Sequence, residues 1–391
     1  SISGTITGGD VVPTSGVSYI SYSTTSTNPS AIPFSDPPGS SKDTSGTKTS
    51  PSSTAPPVSV IGGTSSHLNN ATMALSSATR TSSSAAPTNT QPCNNYVDFC
   101  TRKYSNITEV TAHNSMFTRA NNAASNQALD VIDQLNDGIR MLQGQAHMVN
   151  GSLHFCHTSC DLLDAGPVQD YLSTVAGWVE AHPFDVITIL MGNGDLGPVS
   201  NFIEPVQNSG LAPYLYVPPK VPMGLDDWPL LSEMILTSKR VVVFLDYNAN
   251  QTEVPYILDE FSQLWETPFD PTDPSFPCTV QRPPDLSRED AEARMYMANH
   301  NLNVEINIAG TSLLVPNTAL INTTNNVSAA GSGSLGWTAS NCSSTWSRPP
   351  NFLLVDYYNM PNGTVFAVAA AMNNVTYNRQ CCGLTAQSLA P

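Results

Sequence analysis

The chain has 391 residues, 40% of them hydrophobic and only 12% charged, which is about half the usual charged share. Lys plus Arg number 15 against 31 Asp plus Glu, for a net charge of -16. This deficit of cations argues against a nucleic-acid partner and against electrostatic docking on anionic lipid, both of which need basic clusters. Apolar runs such as Val365 to Met372 fall far short of the ~20 residues of a membrane span.

Of the first 90 residues, 56 are Ser, Thr, Pro or Gly. Such a segment has too little apolar surface to offset its ordering entropy, and Ser/Thr with Pro resembles an O-glycosylated stalk. Within it, Ser1–Thr7 and Val17–Tyr22 alternate apolar and polar residues around Gly-Gly-Asp, the pattern of a β-hairpin. Residues 1–23 are therefore expected to dock as a hairpin on the folded domain, 24–92 to be a linker, and 93–391 to form the folded domain. The opening at Ser1, with no Met and no apolar leader, reads as a mature chain.

From Cys93 onward strand-like and helix-like runs alternate. Ile107 to His113 reads as a strand, Asn126 to Leu135 as a helix stopped at Asp137-Gly138, and Ile139 to Met148 and Ser152 to Cys156 as strands. Helix Pro167 to Ala181 precedes the buried strand Asp185 to Met191. The pattern recurs with helix Leu230 to Ser238, strand Arg240 to Asp246, helix Val254 to Trp265, strand Arg294 to Ala298, strand Phe352 to Asp356 and helix Phe366 to Met372. Repeated β-then-α predicts an α/β fold with a parallel sheet, open or closed into a barrel. Polar residues cluster just after each strand, at His113-Asn114, Asn193 to Asp195, Asp246 to Asn248, Asn299-His300 and Asp356 to Tyr358. In a βα-barrel those strand ends share one face, the one that carries active sites.

Eight cysteines, an even number, fit disulfides better than zinc, because the only cluster (Cys156, His157, Cys160) lacks a second ligand pair. Their pairing is left open by the sequence, although a Cys156–Cys160 bridge would fix His157. Nine Asn-x-Ser/Thr signals, at Asn70, Asn106, Asn150, Asn250, Asn322, Asn326, Asn341, Asn362 and Asn374, favour the same oxidising secretory route. The expected location is secreted, at the cell surface or in the cell wall, and the expected state is a monomer. Two histidines at neighbouring strand ends, His113 and His157, have the chemistry of a general base and a general acid on opposite sides of a phosphodiester. His147 and His154 are weaker candidates, and His67 and His182 read as bystanders.

Thr111-Ala112-His113-Asn114-Ser115 resembles the Gly-Thr-His-Asn/Asp-Ser signature of the phosphatidylinositol-specific phospholipase C X-domain family. Asp137-Gly138-Ile139-Arg140, the strand to Gln145, and Leu153 to His157 resemble that family's next blocks in order, with the flavour of secreted fungal members. The resemblance implies an irregular or incomplete TIM-type barrel carrying a Ser/Thr/Pro-rich N-terminal extension. It also implies His113 as base toward the inositol 2-hydroxyl and His157 as acid toward the diacylglycerol oxygen; by its position at the last strand end, Asp356 is the expected partner orienting His113. Asn114, Gln143, Gln145, Asn193, Asp246 and Tyr358 are the expected substrate-binding set. The calcium-dependent branch places acidic ligands on the second strand and the bacterial branch an Arg. This chain has Gln143 and Gln145 there, which by alternation share the barrel-facing side while Arg140 faces away. Neutral amides neither hold Ca²⁺ as carboxylates do nor neutralise a phosphorane as Arg does. No cofactor is therefore expected, and Ca²⁺ is disfavoured. Three readings compete: a phosphodiesterase acting on a phosphodiester lipid or glycan, a carbohydrate- or cell-wall-active protein using Asp246 and Asp356, and a non-catalytic glycoprotein on the same barrel. Peripheral contact with membrane or wall fits each.

Overall fold

The structure, a computed structural model, describes residues 19–20, 22, 24–28, 31, 90–308 and 311–383. In chain order the strands are β1 (Ser26–Thr27), β2 (Glu109–Ala112), β3 (Met141–Val149), β4 (Ser152–Cys156), β5 (Asp164–Pro167), β6 (Ile187–Asn193) and β7 (Lys220–Val221). They continue with β8 (Val241–Leu245), β9 (Leu258–Asp259), β10 (Leu264–Glu266), β11 (Met295–Asn299), β12 (Asn303–Ile308), β13 (Thr311–Pro316) and β14 (Phe352–Val355). Eight of them form a parallel series in the order β10-β11-β14-β2-β3-β6-β8-β9. The two ends of that series, β9 and β10, do not pair with each other, although only the helix Glu260–Gln263 separates them in sequence. The result is an irregular TIM-type barrel, open along one seam.

Strands buried on both faces explain the near-continuous apolar runs. Every residue of β6, β8 and β14 is buried. Along these strands alternate side chains serve two cores: Leu190, Val242, Phe244, Phe352 and Leu354 fill the interior. Ile189, Val241, Val243, Leu353 and Val355 face the surrounding helices. Helix Val168–Ala181 answers with Val168, Leu172, Val175 and Val179 at helical spacing.

β3 is long because it serves two partners. Met141 to Ala146 pair with β6 inside the barrel, and Ala146 to Val149 turn antiparallel against β4, which in turn pairs with β5. This carries β4 past the barrel rim. Four disulfides join Cys93 to Cys100, Cys156 to Cys160, Cys278 to Cys342, and Cys381 to Cys382.

Several sequence expectations need correction. Val254 to Trp265 is not one helix but β9, the short helix Glu260–Gln263 and β10. The helix expected from Asn126 starts at Val131, where the Asp130 side chain accepts from the backbone N–H of Ile132 and Asp133. Helices Ser200–Asn208 and Leu335–Trp346 and the β12–β13 hairpin were not anticipated. Most of the expected N-terminal hairpin and of the linker lies outside the described residues. Inside them, the Tyr19 ring meets Tyr247 and Phe261 at 5.9 and 5.1 Å, and β1 pairs antiparallel with β7. The chain is thus still held on the barrel at Ser26–Thr27, within the stretch expected to be linker.

Candidate active site

Adjacent parallel strands β2 and β14 end side by side, and the next residues are His113 and Asp356. His113 N–H donates to the Val355 carbonyl at 3.0 Å, and His113 Nδ1 lies 2.7 Å from Asp356 Oδ1. A carboxylate at Nδ1 fixes the proton there and leaves the lone pair on Nε2. Two residues missed in the sequence reading secure this pair. Asn126 Nδ2 donates to Asp356 Oδ1 at 2.9 Å, and Gln127 Nε2 donates to the carbonyls of His113 and Val355 at 2.8 and 3.0 Å. The Asn114 amide nitrogen lies 3.1 Å from His113 Nε2, while Asn114 N–H donates to Gln143 Oε1 at 2.9 Å.

The second histidine arrives on the outlying strand. His157 follows β4, inside the Cys156–Cys160 loop, and its N–H donates to the Leu163 carbonyl at 2.9 Å. The Phe117 ring meets its imidazole edge-on at 5.3 Å, and Thr158 Oγ1 lies 3.2 Å from Nδ1. Burial, and next the charge of His113, push the His157 pKa down to about 4. His113 and His157 are 5% and 7% exposed, so each retains only a small edge toward solvent.

A shared backbone feature marks the site. The residue after each of His113, His157 and Asp356 has a left-handed backbone: Asn114 at φ 46°, Thr158 at 58° and Tyr357 at 41°. Asn tolerates this region, whereas for Thr and Tyr it is strained. Three buried oxygens around the first histidine, Asn114 Oδ1, Asn126 Oδ1 and Asp356 Oδ2, have no protein partner.

The other expected contacts are not brought to this point. Asn193 spends its amide on the Gly197 and Tyr247 carbonyls and on Gly197 N–H. Asp246 accepts from Asn193 N–H and Tyr247 N–H and pairs with Arg282 at 3.2 Å, inside a buried cluster with Glu266. Tyr358 is fully buried and donates to Asp137 on the helix side. In this structure the polar groups of all three are engaged within the protein. Gln145 shares a face with Gln143 and packs against Gly192. The acidic strand-end cluster also dissolves, since Asp195 holds His147, Asp246 holds Arg282 and Asp356 holds His113. His154 pairs with Asp164, His182 stacks on Trp178, and His67 lies outside the described residues.

A family model described as PI-PLC X 1 matches residues 99–373. The chain belongs to the PI-PLC X family. An uncharacterized secreted protein of Arthroderma benhamiae is 61% identical over 298 residues, which is 76% of this chain and 67% of that protein. PI-PLC X domain-containing protein 1 of the same organism is 40% identical over 286 residues, covering 72% of this chain and 90% of the relative. Among solved structures, the phosphatidylinositol-specific phospholipase C of Listeria monocytogenes aligns over 69% of this chain and 94% of its own, at 11% identity and TM-score 0.44.

Within this PI-PLC X chain the donor set does not fit Ca²⁺. Such an ion takes six to eight oxygens with several carboxylates. Here the nearby oxygens are amides plus one Asp356 oxygen whose carboxylate is committed to His113. Among the described residues no three His, Cys, Asp or Glu side chains converge as a metal site.

Proposed function

We propose that the protein is a phospholipase C-type phosphodiesterase in which His113 and Asp356 act as the base pair and His157 supplies the proton to the leaving group. The 2.7 Å contact between His113 Nδ1 and Asp356, with the second histidine His157 also at the end of a strand, is the observation that carries this reading. His113 Nε2 takes the proton of a substrate hydroxyl as that oxygen attacks phosphorus, and Asp356 stabilises the imidazolium that forms. His157 gives a proton to the departing oxygen, so the cyclic phosphodiester and the free alcohol leave with all protons accounted for.

The unpartnered oxygens of Asn114, Asn126 and Asp356 favour a substrate ring rich in hydroxyl donors, which fits an inositol phosphodiester lipid or a glycosylated one. The phosphorane would meet neutral donors such as the Asn114 amide rather than a cation, because the barrel's buried Arg282 is spent on Asp246 and Glu266. Secretion to the cell surface or wall is supported by the disulfides and by the secreted relative. No helix among the described residues is long and apolar enough to cross a membrane.

The test is release of cyclic inositol phosphate from phosphatidylinositol vesicles by wild type, His113→Ala and His157→Ala. Each substitution is expected to lower turnover by ~10²–10⁴-fold, the usual range for removing a general acid or base. Turnover indifferent to both would remove the mechanism. A wild type silent on every phosphodiester offered would leave the barrel as a binding module.

A further inference from the structure

A cavity of about 360 Å³ opens where the amino-terminal segment crosses the barrel beside the end of β8. One wall is Tyr22, Ser26 and Thr27; the other is Asn250, Gln251 and Thr252. The volume lies in the lower part of the small-molecule range of ~300–1,000 Å³. Its polar groups are hydroxyls and amides, and the Tyr22 phenol is kept neutral, pushed up to about 12 by burial and then by Asp259. A neutral lining with one aromatic face suits a saccharide.

Two further observations name the occupant. Gln251 is 8% exposed; its Oε1 accepts from Asp259 N–H at 3.1 Å, but its buried Nε2 has no partner. The three residues of the second wall are also an Asn-x-Thr glycosylation signal. Asn250 is exposed, and its Oδ1 accepts from Thr252 N–H at 3.2 Å. Its Nδ2 makes only an exposed 3.3 Å contact with Glu253.

We infer that Asn250 carries an N-linked glycan whose first sugars lie in this cavity and hold the amino-terminal segment on the barrel. Asn250 Nδ2 forms a bond to C1 of the terminal N-acetylglucosamine of a polyprenyl-diphosphate oligosaccharide. The C1–oxygen bond to the diphosphate breaks, polyprenyl diphosphate leaves with the electron pair, and Nδ2 gives up one proton. Once the chain folds, the sugar hydroxyls and acetamide have Ser26, Thr27 and the free Gln251 Nε2 as partners. This inference is independent of the phosphodiesterase reading.

The experiment uses the full chain secreted from a eukaryotic host. Peptide mass spectrometry reads occupancy of Asn250, and hydrogen exchange reads the segment from Tyr19 to Ala31. Asn250→Gln and Thr252→Ala remove the signal, whereas Thr252→Ser keeps it. Amidase removal of the glycan from folded wild type covers the case of a variant that is not secreted. Expected is an occupied Asn250 and exchange of the segment faster by about tenfold or more, equivalent to ~1.4 kcal/mol, when the glycan is absent. Protection of β6 and β8 should stay unchanged, and Thr252→Ser should behave as wild type. An unmodified Asn250, or a segment that exchanges equally with and without the glycan, would overturn the inference.

Discussion

At the scale of single residues the decisive group is His157. Its pKa near 4, set by burial and then by His113, makes it neutral in the resting site at neutral pH. A neutral imidazole has no proton to give, so the acid form must be gathered from solution or stabilised by the negative charge of a bound phosphodiester. The pH dependence of kcat/KM reports the free protein. It should therefore fall with rising pH above about 4 on the acid limb of His157, and its optimum should lie below pH 6. The optimum of kcat should lie higher, because substrate raises the pKa. A kcat/KM optimum above pH 7 would contradict the acid role. Asp356→Asn should cost about a hundredfold or more in turnover, since an amide at Nδ1 no longer fixes the tautomer or steadies the imidazolium. His113, His157 and Asp356 were legible in the sequence because each ends a recognisable strand. Asn126 and Gln127 were not, since two amides ahead of an apolar helical run read as its first turn. Only the Asp130 cap, which delays the helix to Val131, releases them toward His113 and Asp356.

At the scale of elements, β4 is placed by the antiparallel turn of β3 and locked at its end by the Cys156–Cys160 bridge. A loop this short constrains the unfolded chain modestly, by about 2 kcal/mol. Replacing both cysteines with Ser should therefore lower the melting temperature by only a few degrees. Turnover should fall more steeply, by about tenfold or more, because the left-handed turn at Thr158 loses its restraint and His157 its fixed position. Equal loss of turnover and of folded protein would show the bridge to be merely structural. The double-buried strands were legible as apolar runs, and the polar strand ends followed from them. The Val254 to Trp265 stretch was not, because Val254, Ile257, Leu258, Phe261, Leu264 and Trp265 fall at helical spacing. There the tertiary structure prevails: both edges of the open sheet recruit strand from one apolar run, leaving helix only for Glu260–Gln263. Helix Leu335–Trp346 escaped notice for the opposite reason, being rich in Ser, Thr and Asn that signal loops.

For the molecule as a whole, buried carboxyls dominate the response to pH. Glu109 and Asp259 are pushed up to about 7 and Asp246 to about 6, each chiefly by burial; Glu260 rises through burial and then through Glu266. A carboxyl raised in the folded state binds more protons folded than unfolded. Its contribution is complete below about pH 4 and is lost as pH rises through 6 to 7. His157 and His300, lowered to about 4 by burial, act in the opposite sense below pH 6.5. Above 6.5 the carboxyls act alone, so the melting temperature should climb as pH falls from 8 to 6.5 and then flatten. A melting temperature that climbs steadily from pH 6 to 8 would refute this balance. Calcium should shift neither the melting temperature nor turnover, given the amide-rich donor set at Asn114 and Gln143. A clear calcium-dependent rise in either would reopen the metal question.

The partners in the base pair stand 243 positions apart, and β14 reaches β2 only as the last strand of the sheet. A nascent chain emerging from the ribosome thus presents both histidines long before it presents Asp356. Until synthesis is nearly done the imidazole lacks its anchor, and a product ending before Phe352 would lack the Asp356 contact altogether. Under the proposed mechanism the assembly of the base pair is thus coupled to completion of the sheet.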